Sequence, residues 1–169
     1  PVQEKLRWNC EGALADEICN FNRRGAERKG YFMKTSFQKE AAAAKDFHFY
    51  DSNTGQLLFQ LPSQSRTIEA FLKESIHHGW PSFRDKEVNW KQVRVLPDGE
   101  VVSKEGTHLG HNIPDYSGNR YCINLVCIAG KARPAATAGW RDFFGRGQPK
   151  VEIPPAPIPG NHFVLTESR

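Results

Sequence analysis

Gln92-Val93-Arg94-Val95-Leu96-Pro97-Asp98-Gly99-Glu100-Val101-Val102-Ser103 reads as two short strands folded about a tight reversal. Valine recurs on both sides of the turn, and β-branched side chains suit a pleated, half-buried surface. Proline presets its φ and glycine supplies backbone freedom, so Pro97-Asp98-Gly99 suits the reversal. The same grammar occurs upstream. Phe47 and Phe49 alternate with His48 and Tyr50, Ser52-Asn53-Thr54-Gly55 reads as a turn, and Gln56 to Leu61 returns as a second hairpin. Thr67 can cap a helix in which Ile68, Phe71, Leu72 and Ile76 form one apolar stripe, ended by Gly79 and Trp80-Pro81. A glycine-rich connection, Gly106 through Gly118, leads to a strand read from Arg120 to Ile128. Alternation along it puts Tyr121, Ile123, Leu125 and Cys127 on one face and Arg120, Cys122, Asn124 and Val126 on the other.

Three segments are expected around these elements: an N-terminal extension over residues 1–45 that wraps a domain, the domain itself over 46–130, and a proline-rich arm over 131–169. Six of the 11 prolines lie between Lys131 and Gly160, which suits an extended path, and Trp140, Phe143 and Phe144 form an aromatic cluster there. The balance of 38% hydrophobic and 25% charged residues in a 169-residue chain fits a soluble globular protein. No apolar run approaches the roughly 20 residues of a membrane-spanning helix, and no signal peptide is read at the N-terminus. Compartment stays open, with an organelle such as a mitochondrion or plastid, or an organellar assembly, among the readings. Residues 1–130 carry 17 Lys/Arg against 16 Asp/Glu, so the +4 net charge comes mostly from the last 39 residues. With no basic stripe interleaved with aromatics in the body, nucleic acid is not an expected partner.

Cys10, Cys19, Cys122 and Cys127 are too few for a disulfide scaffold of this length and never form C-x-x-C. They are read as individual thiols. Residues two apart neighbour each other on a strand face, and a guanidinium beside a thiol favours the thiolate, so Arg120, Cys122 and Asn124 together make Cys122 a candidate nucleophile. An inert buried cysteine is the alternative, and it is the reading taken for Cys127. His108 and His111, three apart in Thr107-His108-Leu109-Gly110-His111, can deliver a proton near neutral pH. A metal pair or two surface histidines are the other readings of that spacing. Gly79-Trp80-Pro81-Ser82-Phe83 offers two aromatics for an apolar pocket or for ordinary core.

Taken in order, Gly79-Trp80-Pro81-Ser82-Phe83, Thr107-His108-Leu109-Gly110-His111 with Pro114-Asp115, and Gly118-Asn119-Arg120-Tyr121-Cys122-Ile123-Asn124 resemble the B-type methionine sulfoxide reductases, which reduce the R epimer of methionine sulfoxide. The resemblance spans roughly Phe47 to Gly130. It implies a mainly antiparallel β fold of two sheets holding the site between them. It also implies that Cys122 is the catalytic cysteine, that Trp80 packs on the substrate methyl group, and that Phe83 is an aromatic wall. His108 and His111 would bind and protonate the sulfoxide oxygen, Arg120 would activate the thiol, and Asn124 would orient by hydrogen bonding. The reaction so implied is thiolate attack on the sulfoxide sulfur, in free or protein-bound methionine sulfoxide, leaving a sulfenic acid on Cys122.

The chain departs from the family pattern in three places. Many members hold a structural zinc with two C-x-x-C pairs, but the matching stretches, around Phe49 to Leu58 and Val95 to His108, contain no cysteine, so no zinc is expected. Many members keep a resolving cysteine before Gly-Trp-Pro-Ser-Phe, where this chain has His78. Regeneration is then left to Cys10, to Cys19, or to an external thiol of the thioredoxin or glutathione type, and Cys10 and Cys19 can equally be incidental or pair with each other. Third, Asn112-Ile113 follows the His-Leu-Gly-His loop where an aromatic is common. A reading of another class treats the domain as a structural or interaction subunit of a larger assembly, docked through its two extensions.

Overall fold

Residues 1–133 are described in the computed structural model of the chain. The arm read over 131–169 therefore lies outside the described residues beyond its first three, as does its aromatic cluster Trp140, Phe143 and Phe144. The described chain runs through helices α1 (Gly12–Asp16) and α2 (Phe37–Ala43), strands β1 (Phe47–Tyr50) and β2 (Leu57–Leu61), and helix α3 (Ile68–His78). Strands β3 (Ser82–Phe83), β4 (Val93–Val95), β5 (Glu100–Ser103), β6 (His108–Asn112) and β7 (Tyr121–Ile123) follow. The fold is mainly β, in two antiparallel sheets: β1 with β2, and five strands in the order β3-β7-β6-β5-β4.

Both hairpins and α3 form where the sequence predicts them. The Thr67 side chain accepts from the Ala70 amide, and Gly79 ends the helix at φ 94, a left-handed conformation that costs glycine little. The apolar stripe is one residue shorter than expected. Ile76 is exposed, and Ser75 is buried in its stead, its hydroxyl accepting from the Ser82 amide at 3.1 Å.

Two expectations about the C-terminal half need correction. The glycine-rich connection contains a strand, β6, because Gly110 serves close approach rather than a turn: a Cβ there would sit 2.0 Å from the Cys122 carbonyl oxygen. The strand read from Arg120 to Ile128 ends at Ile123. Asn124 turns the chain, since both its backbone and its side-chain amide donate to the Leu109 carbonyl, and a 3-10 turn, Leu125–Cys127, follows.

Residues 1–45 supply Trp8, Ile18, Phe32 and Phe37 to the same core as Phe49, Phe59, Phe71 and Phe83. Trp8 meets Phe37 edge-on at 5.1 Å and stacks on Phe47 at 5.7 Å. Cys127 is buried, as expected, but it is no free thiol: it forms a disulfide with Cys19 across 108 residues. Cys19 thus pairs neither with Cys10 nor stands alone. Such a cross-link restricts the unfolded chain most when the loop is long. Replacing Cys19 and Cys127 together by alanine is expected to lower stability by about 2–5 kcal/mol, read as an earlier guanidinium midpoint. An unchanged midpoint would count against the cross-link.

Candidate active site

Cys122, at the centre of β7, lies in register with Ser82 of β3 on one side and His111 of β6 on the other. Directly opposed residues of antiparallel strands project to the same face, so the thiol is flanked by a hydroxyl and an imidazole. Arg120 reaches the same face. Its guanidinium favours the Cys122 thiolate and donates from Nη1 to Ser82 Oγ at 3.4 Å. Its Nε is buried without a hydrogen-bond partner and stands 3.9 Å from an Asp115 oxygen, ion-pair range only. Arg84 holds that carboxylate through both of its oxygens, at 2.9 and 3.0 Å.

The half-buried Cys122 thiol is pushed above its ordinary value, because burial outweighs the opposing influence of Arg120. The neighbouring Glu27 adds to the rise. Arg120 therefore acts in the expected direction, but the thiol at rest is mostly protonated near neutral pH.

His108 and His111 reach one site through an irregularity. Along β6 the pairing advances from Val101↔Gly110 to Val102↔His108, so Leu109 is an extra residue, a β-bulge. Residues three apart on a regular strand face opposite sides; the bulge reverses that phase and brings the two rings within 5.7 Å. His108 is buried, and its Nδ1 meets Glu100 Oε2 at 2.7 Å. The carboxylate can only accept, so Nδ1 donates and Nε2 is left as an acceptor. Burial holds His108 below the usual imidazole value, more than Glu100 raises it, and the ring is neutral near pH 7. Glu100 also pairs with Arg23 at 3.0 Å. Among the described residues no third ligating side chain joins the two histidines. The metal-sized grouping of Glu74, His78 and Asp115 excludes both of them; it borders Arg120 through Asp115, and Arg84 spans both of its carboxylates.

Trp80 is half-buried at the start of Trp-Pro-Ser-Phe, and its Nε1 donates to the Glu27 carbonyl at 3.0 Å. The Glu27 amide in turn donates to Asn124 Oδ1 at 2.9 Å. Sequence reading placed Glu27 in an extension and missed it; the only local signal is a lone acid in a basic run. Phe83 is not a pocket wall. It is fully buried, stacked on Phe59 at 4.1 Å and packed against Phe49 and Phe71, because β3 turns alternate residues to opposite faces and Ser82 takes the site side. Of the two cysteines read as resolving thiols, Cys19 is occupied by its disulfide, and Cys10 is buried, its thiol pushed far up by that burial.

The two stretches that would carry zinc-binding cysteines meet through hydrogen bonds. The Thr107 hydroxyl contacts both oxygens of Asp51, at 3.0 and 2.9 Å, and accepts from Asn53. Asp51 Oδ1 also accepts from the Asn53 and Thr54 amides. One carboxylate with hydroxyl and amide partners is a poor donor set for zinc, which selects thiolate and imidazole.

The roles of Arg120 and burial can be separated by Cys122 alkylation with iodoacetamide, read on the Cys122 peptide. Arg120→Met is expected to raise the thiol further and slow alkylation at pH 8 by about threefold to tenfold. An equal or faster rate would show that the guanidinium does not stabilise the thiolate.

No protein-family model and no solved structure matches the chain. A peptide methionine sulfoxide reductase MsrB from Methanosarcina mazei is 39% identical over 61 residues, covering 30% of this chain and 43% of that protein. The match thus spans less than half the length of that relative, and it marks a region of this chain as similar to such a reductase.

Proposed function

We propose that the protein is a thiol-dependent oxidoreductase that reduces methionine-R-sulfoxide, free or in proteins, through a sulfenic acid on Cys122. The observation that carries this reading is the placement of Cys122 between Ser82 and His111, with Arg120 bonded to Ser82 and favouring the thiolate. The partial similarity to MsrB supports it.

In this reading the Cys122 sulfur attacks the sulfoxide sulfur as the thiol proton is passed on to the sulfoxide oxygen, and the S–S bond so formed breaks when that oxygen moves to the cysteine. The oxygen passes to Cys122, giving Cys–S–OH, and the substrate departs as the thioether; the thiol sulfur is oxidised and the sulfoxide reduced. Arg120 supports the anionic sulfur during attack, and His111, exposed and beside Cys122, is placed to hand a proton to the sulfoxide oxygen. His108 is held by Glu100 as a neutral ring that accepts at Nε2. Trp80 offers an indole face to the substrate methyl group, and Asn124 fixes the turn behind it. Two external thiols, of a thioredoxin-type dithiol or of glutathione, then reduce the sulfenic acid to the thiol with release of water and a disulfide. Cys10 is a poor resolving candidate in its buried state, which favours the external route. The Asp51–Thr107 hydrogen bonds join the two stretches in which the family's zinc-binding cysteines are lacking, which supports the reading that the protein works without zinc.

Turnover of R and S methionine sulfoxide substrates with dithiothreitol, by chain purified without added metal and checked for zinc, tests this. Expected are R-selective reduction, its loss in Cys122→Ser, and less than one zinc per chain. No turnover by folded, fully reduced protein would overturn the enzymatic reading, and one tightly held zinc would overturn the metal-free one.

A further inference from the structure

Glu27 makes contacts that none of the roles above uses. It is 2% exposed, yet it belongs to a segment rich in arginine and lysine. All of its polar atoms but one are engaged with the candidate site. Its carbonyl receives the Trp80 indole N–H, its amide donates to Asn124, and its Oε1 accepts from the Val126 amide at 3.1 Å. Its Oε2 is buried and has no hydrogen-bond partner.

From this geometry we infer that Glu27 is the positioning residue of the Cys122 site: its carboxyl caps the turn behind Cys122, so that its backbone fixes Trp80 and Asn124, and its charge acts on the thiol. The inference rests on the reductase reading for what Trp80 and Asn124 do, but the influence of the Glu27 charge on Cys122 can be read without turnover. A buried carboxyl that keeps one oxygen unpaired is held more cheaply as the neutral acid. Burial accordingly pushes Glu27 up to about 8, against the backbone of Val126 and Leu125, which favours its charged form. The titratable groups that feel its charge are Cys10 and Tyr31 from the N-terminal segment, which Glu11 also influences, and Cys122 from the strand side, which Arg120 also influences. Burial pushes Cys10 far up and Tyr31 to about 12, so neither changes charge in the range where Glu27 does. Ionisation of Glu27 therefore places a new negative charge near the Cys122 sulfur and opposes the thiolate.

The test is the pH profile of Cys122 alkylation, read on the Cys122 peptide, in full-length wild-type protein and Glu27→Gln. The glutamine keeps an acceptor for the Val126 amide but cannot ionise. At pH 6.5, where Glu27 is protonated, the two rates are expected to coincide. At pH 9.5 the variant is expected to react about twofold to fivefold faster. Equal rates at both pH values, or the same ratio at both, would overturn the electrostatic role, since a merely structural defect does not switch on with pH. In steady-state assays with the R sulfoxide, Glu27→Ala is expected to raise KM about tenfold while Glu27→Gln stays within about twofold. A KM in Glu27→Ala equal to wild type would overturn the positioning role. If the alanine variant does not fold, the glutamine profile still decides the electrostatic role. If the protein proves not to be a reductase, the same profile still reads the effect of the Glu27 charge on Cys122.

Discussion

The close pairing of β6 with β7 at Gly110 is the constraint on which the site depends. With no side chain at that position, the two backbones approach until a Cβ would overlap the Cys122 carbonyl oxygen. That approach puts His111 beside Cys122, and the extra residue at Leu109 lets His108 join the same face. The same Leu109 carbonyl then receives the backbone and side chain of Asn124, which ends β7 and starts the turn toward Cys127. One contact between two strands thus sets the thiol, both imidazoles and the exit of the chain.

The second half of the site comes from the N-terminal segment. Cys19 ties that segment to Cys127, and Glu27 lies across the turn between Cys122 and Cys127, holding Trp80 and Asn124 from behind. A buried acid and a buried thiol are both disfavoured as anions by the same low polarity, so the site at rest is less charged than its residue list suggests. A protonated thiol is also slow to react with stray oxidants. In the proposed reaction, selectivity would then come from the substrate pocket and the proton donors around Cys122, rather than from a permanently ionised sulfur.

Much of this was legible in the sequence, and the misses share a cause. Hairpins and the capped helix are local: turn residues, alternation and a cap lie within a dozen positions, and they were found at Phe47 to Leu61, Ile68 to Gly79 and Gln92 to Ser103. The resemblance gathered Trp80, His108, His111, Arg120, Cys122 and Asn124 into one set, and the structure brings those residues to neighbouring strands and turns. What escaped depends on contacts between distant parts of the chain. Gly110 looks like a loop glycine until β7 lies against it, and Cys19 gives no sign of Cys127 108 residues away. Phe83 could not be assigned to core or pocket until the register of Ser82 with Cys122 fixed its face. Glu27 reads as one more charge on a polar extension until its burial is seen.

The central claim is that Cys122 takes the oxygen of a sulfoxide, and a single-turnover trap tests it most directly. Fully reduced protein would be mixed with one equivalent of a methionine-R-sulfoxide substrate without external reductant, quenched with dimedone, and the Cys122 peptide weighed. The account predicts a dimedone adduct on Cys122, formed with the R epimer and not with the S epimer, together with an equal amount of methionine thioether. Thioether formed with Cys122 still a free thiol, or an adduct that appears equally without substrate, would contradict it.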